Sequence, residues 1–358
     1  MRGSFIFRFI LGSVATLLCL SLAGCGKQSE PEQLLTFKEP HMGVEFTIRI
    51  WARQGEVEEA TLLARDAFVR VAELNRICSD YLPESELNDL ARAPAGEPVP
   101  VSRDLYHLFD KAKLLSEQTD GAFDVTAGPL IRLWKLSRKN RSLPSPEQLA
   151  RAHARTGSHL LELDPIQRTI TKRSEGMLFD LGGIAKGYAA DEALGILQNG
   201  GFPRALVAAS GDIVVGDAPP GKKGWTIGLE TLDLGKELSD LPTIILVNQA
   251  VSTSGDTRRY FEHDGVRYSH IVSVRTGLGL TERIGASVIA PDATTTDSYA
   301  TAVTLLGKKE GLQFIENKRE IECQIVALEN GREVFFRSDG FTRFQPEKGE
   351  EESSVTPP

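Results

Sequence analysis

Residues 180–187 read Asp-Leu-Gly-Gly-Ile-Ala-Lys-Gly. The stretch follows a short apolar run and opens an amphipathic helix, expected over 182–197 and closed by Asn199-Gly200-Gly201. Beyond that helix the pattern changes from a period near four to one near two. Strands are expected at 205–208, 212–215, 225–229, 243–248 and 267–272, with more at 285–290, 323–328 and 333–337. Before it, 46–50 alternates as a strand. Helical stripes then run over 57–75 (Val57, Ala60, Ala64, Ala67, Phe68, Val71, Leu74) and 104–118 (Leu105, Leu108, Phe109, Ala112, Leu115). Pro144 and Pro146 precede a helix ending near His153, and the Asp164-Pro165 turn separates strands at 160–163 and 169–171. Segregated strands and helices predict an α+β fold rather than regular βαβ winding.

The same eight residues carry chemical signals. Paired glycines let backbone approach a bulky anion, and the amides of a helix start point toward it. A second stretch, Ala293-Thr-Thr-Thr-Asp-Ser-Tyr-Ala-Thr301, sets Asp297 and Thr301 one turn apart on one helix face. Two oxygen donors at that spacing suit a hard cation such as Mg²⁺. Each stretch also has a plainer meaning: a Gly-Gly turn, and an aspartate capping a helix with Thr301 packed behind it. An anion cradle beside an oxygen-rich cation site points to pyrophosphate chemistry.

Composition narrows the class. The 358-residue chain is long enough for a large core and carries a formal charge of −8, which argues against nucleic acid as its main partner. Arg2 and Arg8 stand at the start of an apolar run, 9–22, that ends in Leu22-Ala23-Gly24-Cys25. This pattern predicts a secretory signal over 1–24, too short in its apolar part for a membrane span. Leu-Ala-Gly-Cys looks like a bacterial lipobox, so Cys25 is expected to be acylated. Residues 25–35 would then tether a folded domain at 36–345, followed by a disordered Glu-, Ser- and Pro-rich tail at 346–358. Such a chain would be anchored by lipid in the bacterial envelope, facing the periplasm. Cys78 and Cys323 can pair or stay free on spacing alone, and no cysteine–histidine cluster has zinc spacing.

Taken in order, the motifs resemble the FAD:protein FMN transferase (ApbE) family of flavin-transferring lipoproteins. They are Met42-Gly43, Ser79-Asp-Tyr81 with Pro83 and Ser85-Glu86, Gly121-Ala-Phe-Asp124, and Asp180 to Ala189. Ser210-Gly211-Asp212, Val251 to Asp256, Ser269-His-Ile271 with Arg275-Thr-Gly277, and Ala293 to Thr301 complete the series. The resemblance implies a single T-fold-related α+β catalytic domain with antiparallel sheets and packed helices. It implies cleavage of FAD, release of AMP and attachment of FMN to a threonine or serine of an acceptor protein, work that rests on positioning and charge neutralisation. Carried over residue by residue, Asp297, Thr301 and the Gly183 carbonyl would hold Mg²⁺. Met42, Tyr81, Ala122, Phe123, Asp124, Asp180, Lys186 and Val272 would contact FAD.

For those positions the residues themselves leave alternatives. Tyr81 can stack on a ring and Met42 pack against one, or both can serve the core. Asp124 can meet ribose or adenine, or cap a turn. Lys186 can neutralise phosphate as a point charge. An unperturbed histidine suits a base near neutrality, so His270 can take the acceptor's hydroxyl proton, with Asp256 or a metal-held group the fallback. A cation near a helix N-terminus meets positive partial charge, so Asp297 and the FAD phosphates must supply the opposing charge. Two departures stand out: Ser273-Val274 where the family usually has Asp-Pro, and Val44 where it usually has threonine.

Overall fold

The computed structural model describes residues 31–232, 241–255 and 260–346. In chain order it contains β1 (Glu32–His41), β2 (Val44–Arg53), α1 (Val57–Cys78), α2 (Glu86–Arg92), β3 (Val99–Pro100), α3 (Arg103–Gln118), α4 (Gly128–Asn140) and α5 (Pro146–His153). There follow β4 (Leu161–Asp164), β5 (Thr169–Lys172), α6 (Ala185–Asn199), β6 (Ala205–Ala209), β7 (Asp212–Val215), β8 (Trp225–Gly228), β9 (Thr243–Leu246) and β10 (Gln249–Gly255). The chain continues through β11 (Tyr260–His263), β12 (Val266–Ser269), β13 (Ile284–Ala290), α7 (Ala293–Glu316), β14 (Glu322–Glu329) and β15 (Arg332–Arg337).

The frame is one antiparallel sheet in the order β1-β2-β6-β7-β10-β13-β14-β15. Period-two alternation sorts its central strands onto two buried faces. Val207, Ala209, Val214 and Ala250 meet α1 and α6. Leu206, Ala208, Ile213, Val215 and Val251 meet the β8–β9 hairpin together with Phe341 and Phe344. Farther along the sheet, Ala300 and Val303 of α7 cover Ile284, Ala286 and Val288 of β13. The expected α+β class with antiparallel sheets is therefore what the chain adopts.

The structure moves several expected boundaries. The segment expected to be tether to residue 35 is already strand from Glu32, paired with β2 along its whole length. Its Leu35 and Phe37 pack against the core while Leu34, Thr36, Lys38 and Pro40 are exposed, so the mixed polar composition hid an edge strand. α4 starts at Gly128 with Pro129 in its first turn, a favourable position for proline that the Pro144 boundary overshadowed. β10 has no apolar alternation because Ser252 bonds Thr296 (2.7 Å) and Thr253 bonds Ser287 (2.8 Å). The strand expected over 267–272 ends at Ser269, which leaves His270 in a bend and Val272 in an isolated bridge to Gly279. Residues 1–30, with the signal segment and Cys25, Asp256, and the tail from 347 lie outside the described residues.

Candidate functional site: an oxygen-lined cleft between two helix starts

α6 and α7 begin side by side, and their first turns interlock. The Gly187 N–H donates to Oδ2 of Asp297 at 3.0 Å. A Cβ on Gly187 would stand 2.0 Å from the Ala293 carbonyl oxygen, so only glycine permits this approach. Asp297 does not cap α7. That task falls to Asp292, which accepts from Thr295 N–H at 2.8 Å, and to Asp191 of α6, which accepts from Ala293 and Thr294 N–H at 2.7 and 2.8 Å. Two carboxylates thus oppose the positive end of α7 and free Asp297, deeper in the helix, for another role.

The first three residues of that role are close together. Gly183 lies in the turn before α6, where an added Cβ would be 3.0 Å from Thr301 Oγ1 and 3.3 Å from the Phe123 ring. Thr301 stands one helical turn beyond Asp297. Carboxylate, hydroxyl and glycine-loop backbone are all hard oxygen donors, and Mg²⁺ takes few protein ligands and completes its shell with water and phosphate. These residues fit Mg²⁺.

Lys186 lies inside the cleft. Its Nζ is 3.0 Å from Asp212 Oδ2, 3.3 and 3.4 Å from the two Asp297 oxygens, and 3.0 Å from the Gly182 carbonyl. Burial works against the ammonium, but Asp212 and then Asp297 outweigh it and hold its pKa above the ordinary lysine range. Burial, and then the charge of Asp212, push Asp297 above the usual carboxylate range. The expected phosphate lysine is thus also the counter-ion of two acids. Asp212 belongs to the Ser210-Gly211-Asp212 motif but reads locally as an ordinary strand start, and nothing in the sequence pairs it with Lys186.

The other expected flavin residues divide into two groups. Tyr81 is 76% exposed, with Lys135 Nζ 4.7 Å from its ring centroid. The same ammonium is 3.1 Å from Asp80 and 4.0 Å from Asp180, whose Oδ1 accepts from Gly182 N–H at 2.9 Å. Burial and the neighbouring Asp80 raise the Asp180 pKa. Met42 forms the β1–β2 turn with φ +50°, an uncommon conformation for methionine. The register Phe46↔Ala209 and Ala209↔Asp212 sets that turn at the same end of the sheet as Asp212. Ala122 and Phe123 are buried, with Phe123 against Gly183.

Asp124 and Val272 are committed to structure. The Asp124 carboxylate accepts from Thr126 N–H and hydroxyl (2.8 and 2.7 Å), Ser158 N–H (2.8 Å) and the Ser116 hydroxyl (3.2 Å). Val272 packs with Leu130, Trp134 and Phe261. His270 follows Ser269, whose carbonyl accepts the Trp134 indole N–H at 2.9 Å, so the segment carrying it is pinned to α4. Lys135 gave no signal in the sequence, where it is one more charged residue on a helix.

The chain is similar to known proteins over most of its length. A model of the ApbE family matches residues 42–325, and the chain belongs to that family. It is 30% identical over 336 residues to the FAD:protein FMN transferase of Vibrio cholerae serotype O1, spanning 93% of this chain and 97% of that protein. To the Haemophilus influenzae enzyme of the same description it is 27% identical over 331 residues, 90% and 94% of the two chains. The solved structure of the flavin transferase ApbE from Vibrio cholerae matches with a TM-score of 0.78 at 27% identity, covering 88% of this chain and all (100%) of that one. The ApbE protein of Thermotoga maritima gives 0.76 at 30% identity, with 88% and 100% covered.

Proposed function

We propose that this enzyme transfers FMN from FAD to a threonine or serine hydroxyl of an acceptor protein, with Mg²⁺, and releases AMP. The observation that carries the reading is the meeting of Gly183, Asp297 and Thr301 in one cleft, in a chain whose relatives are FAD:protein FMN transferases. Magnesium, when bound, supplies positive charge against the bridging phosphates. The glycine loop at 182–183 gives the diphosphate a close backbone approach, and Lys186 offers an ammonium to it. Tyr81 covers the ring system, and Asp180 with Asp80 and Lys135 fixes the loop beneath.

The acceptor oxygen attacks the phosphorus on the FMN side. That P–O bond forms as the P–O bond to AMP breaks, and the departing AMP phosphate takes the electron pair. The hydroxyl proton goes to the His270 imidazole as general base. Acylation of Cys25 would anchor the enzyme in the bacterial envelope with the domain facing the periplasm, where its acceptor would be a redox protein.

The test is incubation with FAD, Mg²⁺ and a candidate acceptor, followed by mass spectrometry. An acceptor heavier by FMN, together with AMP, is expected. FMN and AMP without an adduct would make water the nucleophile and the enzyme a pyrophosphatase. FAD left intact beside a competent acceptor would make it a flavin-binding lipoprotein.

A further inference from the structure

Lys186 holds the place of a cation. Its ammonium is surrounded by two carboxylates and a glycine-loop carbonyl at 3.0–3.4 Å, the donor types a magnesium ion prefers. The Asp212 and Asp297 side chains are only 7% and 5% exposed, so stripping their counter-ion would leave two uncompensated buried charges. The Lys186 side chain is 22% exposed and ends a flexible four-carbon stem, so the charge can move while its backbone stays in α6. An ammonium and a divalent ion cannot share Asp297 at these distances without strong repulsion.

On the flavin-transfer reading, we propose that Lys186 is the resident counter-ion of the Asp212–Asp297 pair and yields Asp297 to Mg²⁺ when the FAD diphosphate draws its ammonium away. Asp212 then acts as a positioning residue that keeps Lys186 in the cleft. The lysine has two stations, carboxylate and phosphate, and moving between them makes metal entry depend on the dinucleotide. Simple charge neutralisation would also couple the two ligands. It would not make the coupling depend on this side chain.

The experiment is calorimetric titration of the full-length protein with MgCl₂ alone and with FAD present, for wild type and Lys186→Met. The variant is expected to bind Mg²⁺ alone about tenfold more tightly than wild type. FAD should tighten Mg²⁺ binding by wild type and have little such effect on the variant. Equal affinity of the two proteins for Mg²⁺ alone, or equal tightening by FAD, overturns the proposal. If Lys186→Met does not fold, the double variant Lys186→Met/Asp212→Asn removes one buried charge of each sign. Its melting temperature should then rise at lower MgCl₂ concentration than that of wild type, and an equal rise in both proteins overturns the proposal. Neither readout uses FMN transfer, so an enzyme that exchanges cations but yields no adduct would sink the functional reading and leave this one standing.

Discussion

A methyl group on Gly187 would press against the Ala293 carbonyl from 2.0 Å, and backbone cannot yield as a side-chain tip can. Gly187→Ala is therefore expected to destabilise the fold by about 1–3 kcal/mol, as overpacking does. It should also pull the Gly187 N–H from Asp297 and weaken Mg²⁺ binding. Chemical denaturation and a Mg²⁺ titration of the variant check both effects. His270 has a different profile. His270→Ala should abolish FMN transfer while FAD affinity stays close to wild type, as measured by adduct mass and flavin fluorescence. If transfer survives, the proton goes to another group, with Asp256 the first to examine.

At the scale of elements, the site depends on how α1, α3 and α6 are tied together. Arg70 of α1 reaches Asp104 of α3 at 2.6 Å and Glu192 of α6 at 2.8 Å, and the Tyr188 hydroxyl donates to Asp104 at 2.7 Å. Burial favours the neutral acid at Asp104, but the hydrogen bonds from Arg70 and Tyr188 outweigh it and hold the pKa below the ordinary carboxylate value. A depressed pKa stabilises the fold at every pH above the unfolded value, and the contribution disappears as pH falls through the folded value. Asp104→Asn should thus cost about 1–2 kcal/mol near neutrality, after solvent screening. The gap to wild type should close in strong acid, as denaturation at a series of pH values would reveal. Asp191 has the opposite sign. Burial pushes it up to about 6, so its contribution is present in acid and is lost as pH rises from about 4 through about 6.

Over the whole molecule, the two described cysteines sit in different cores, Cys78 among the helices around α3 and Cys323 under α7, and both are free. Burial raises both thiols, Cys323 to about 12, so neither is a ready nucleophile at neutral pH. The native protein should resist a thiol-specific reagent at both positions, and both should react once it is unfolded. A native chain that labels stoichiometrically at either site would contradict this packing. The large sheet also explains why much of the architecture was legible. β7 and β13 are short, mostly apolar runs, and α1 and α3 present clear stripes. β10 was invisible because serine and threonine bond its neighbours through their hydroxyls, and β1 because polar residues interrupt its apolar ones and Leu34 and Pro40 lie on the exposed face.

What the sequence determined by itself was local: the periodicity of helices and strands, the glycines before α6, and the one-turn spacing of Asp297 and Thr301. Those follow from backbone geometry over a few residues. Only the folded chain decided that Lys186 meets an acid 111 positions away, that Gly187 donates to the same acid, and that Asp191 relieves Asp297 of capping. Hydrogen bonds and buried charges act over a few ångströms in space, whatever the distance along the chain.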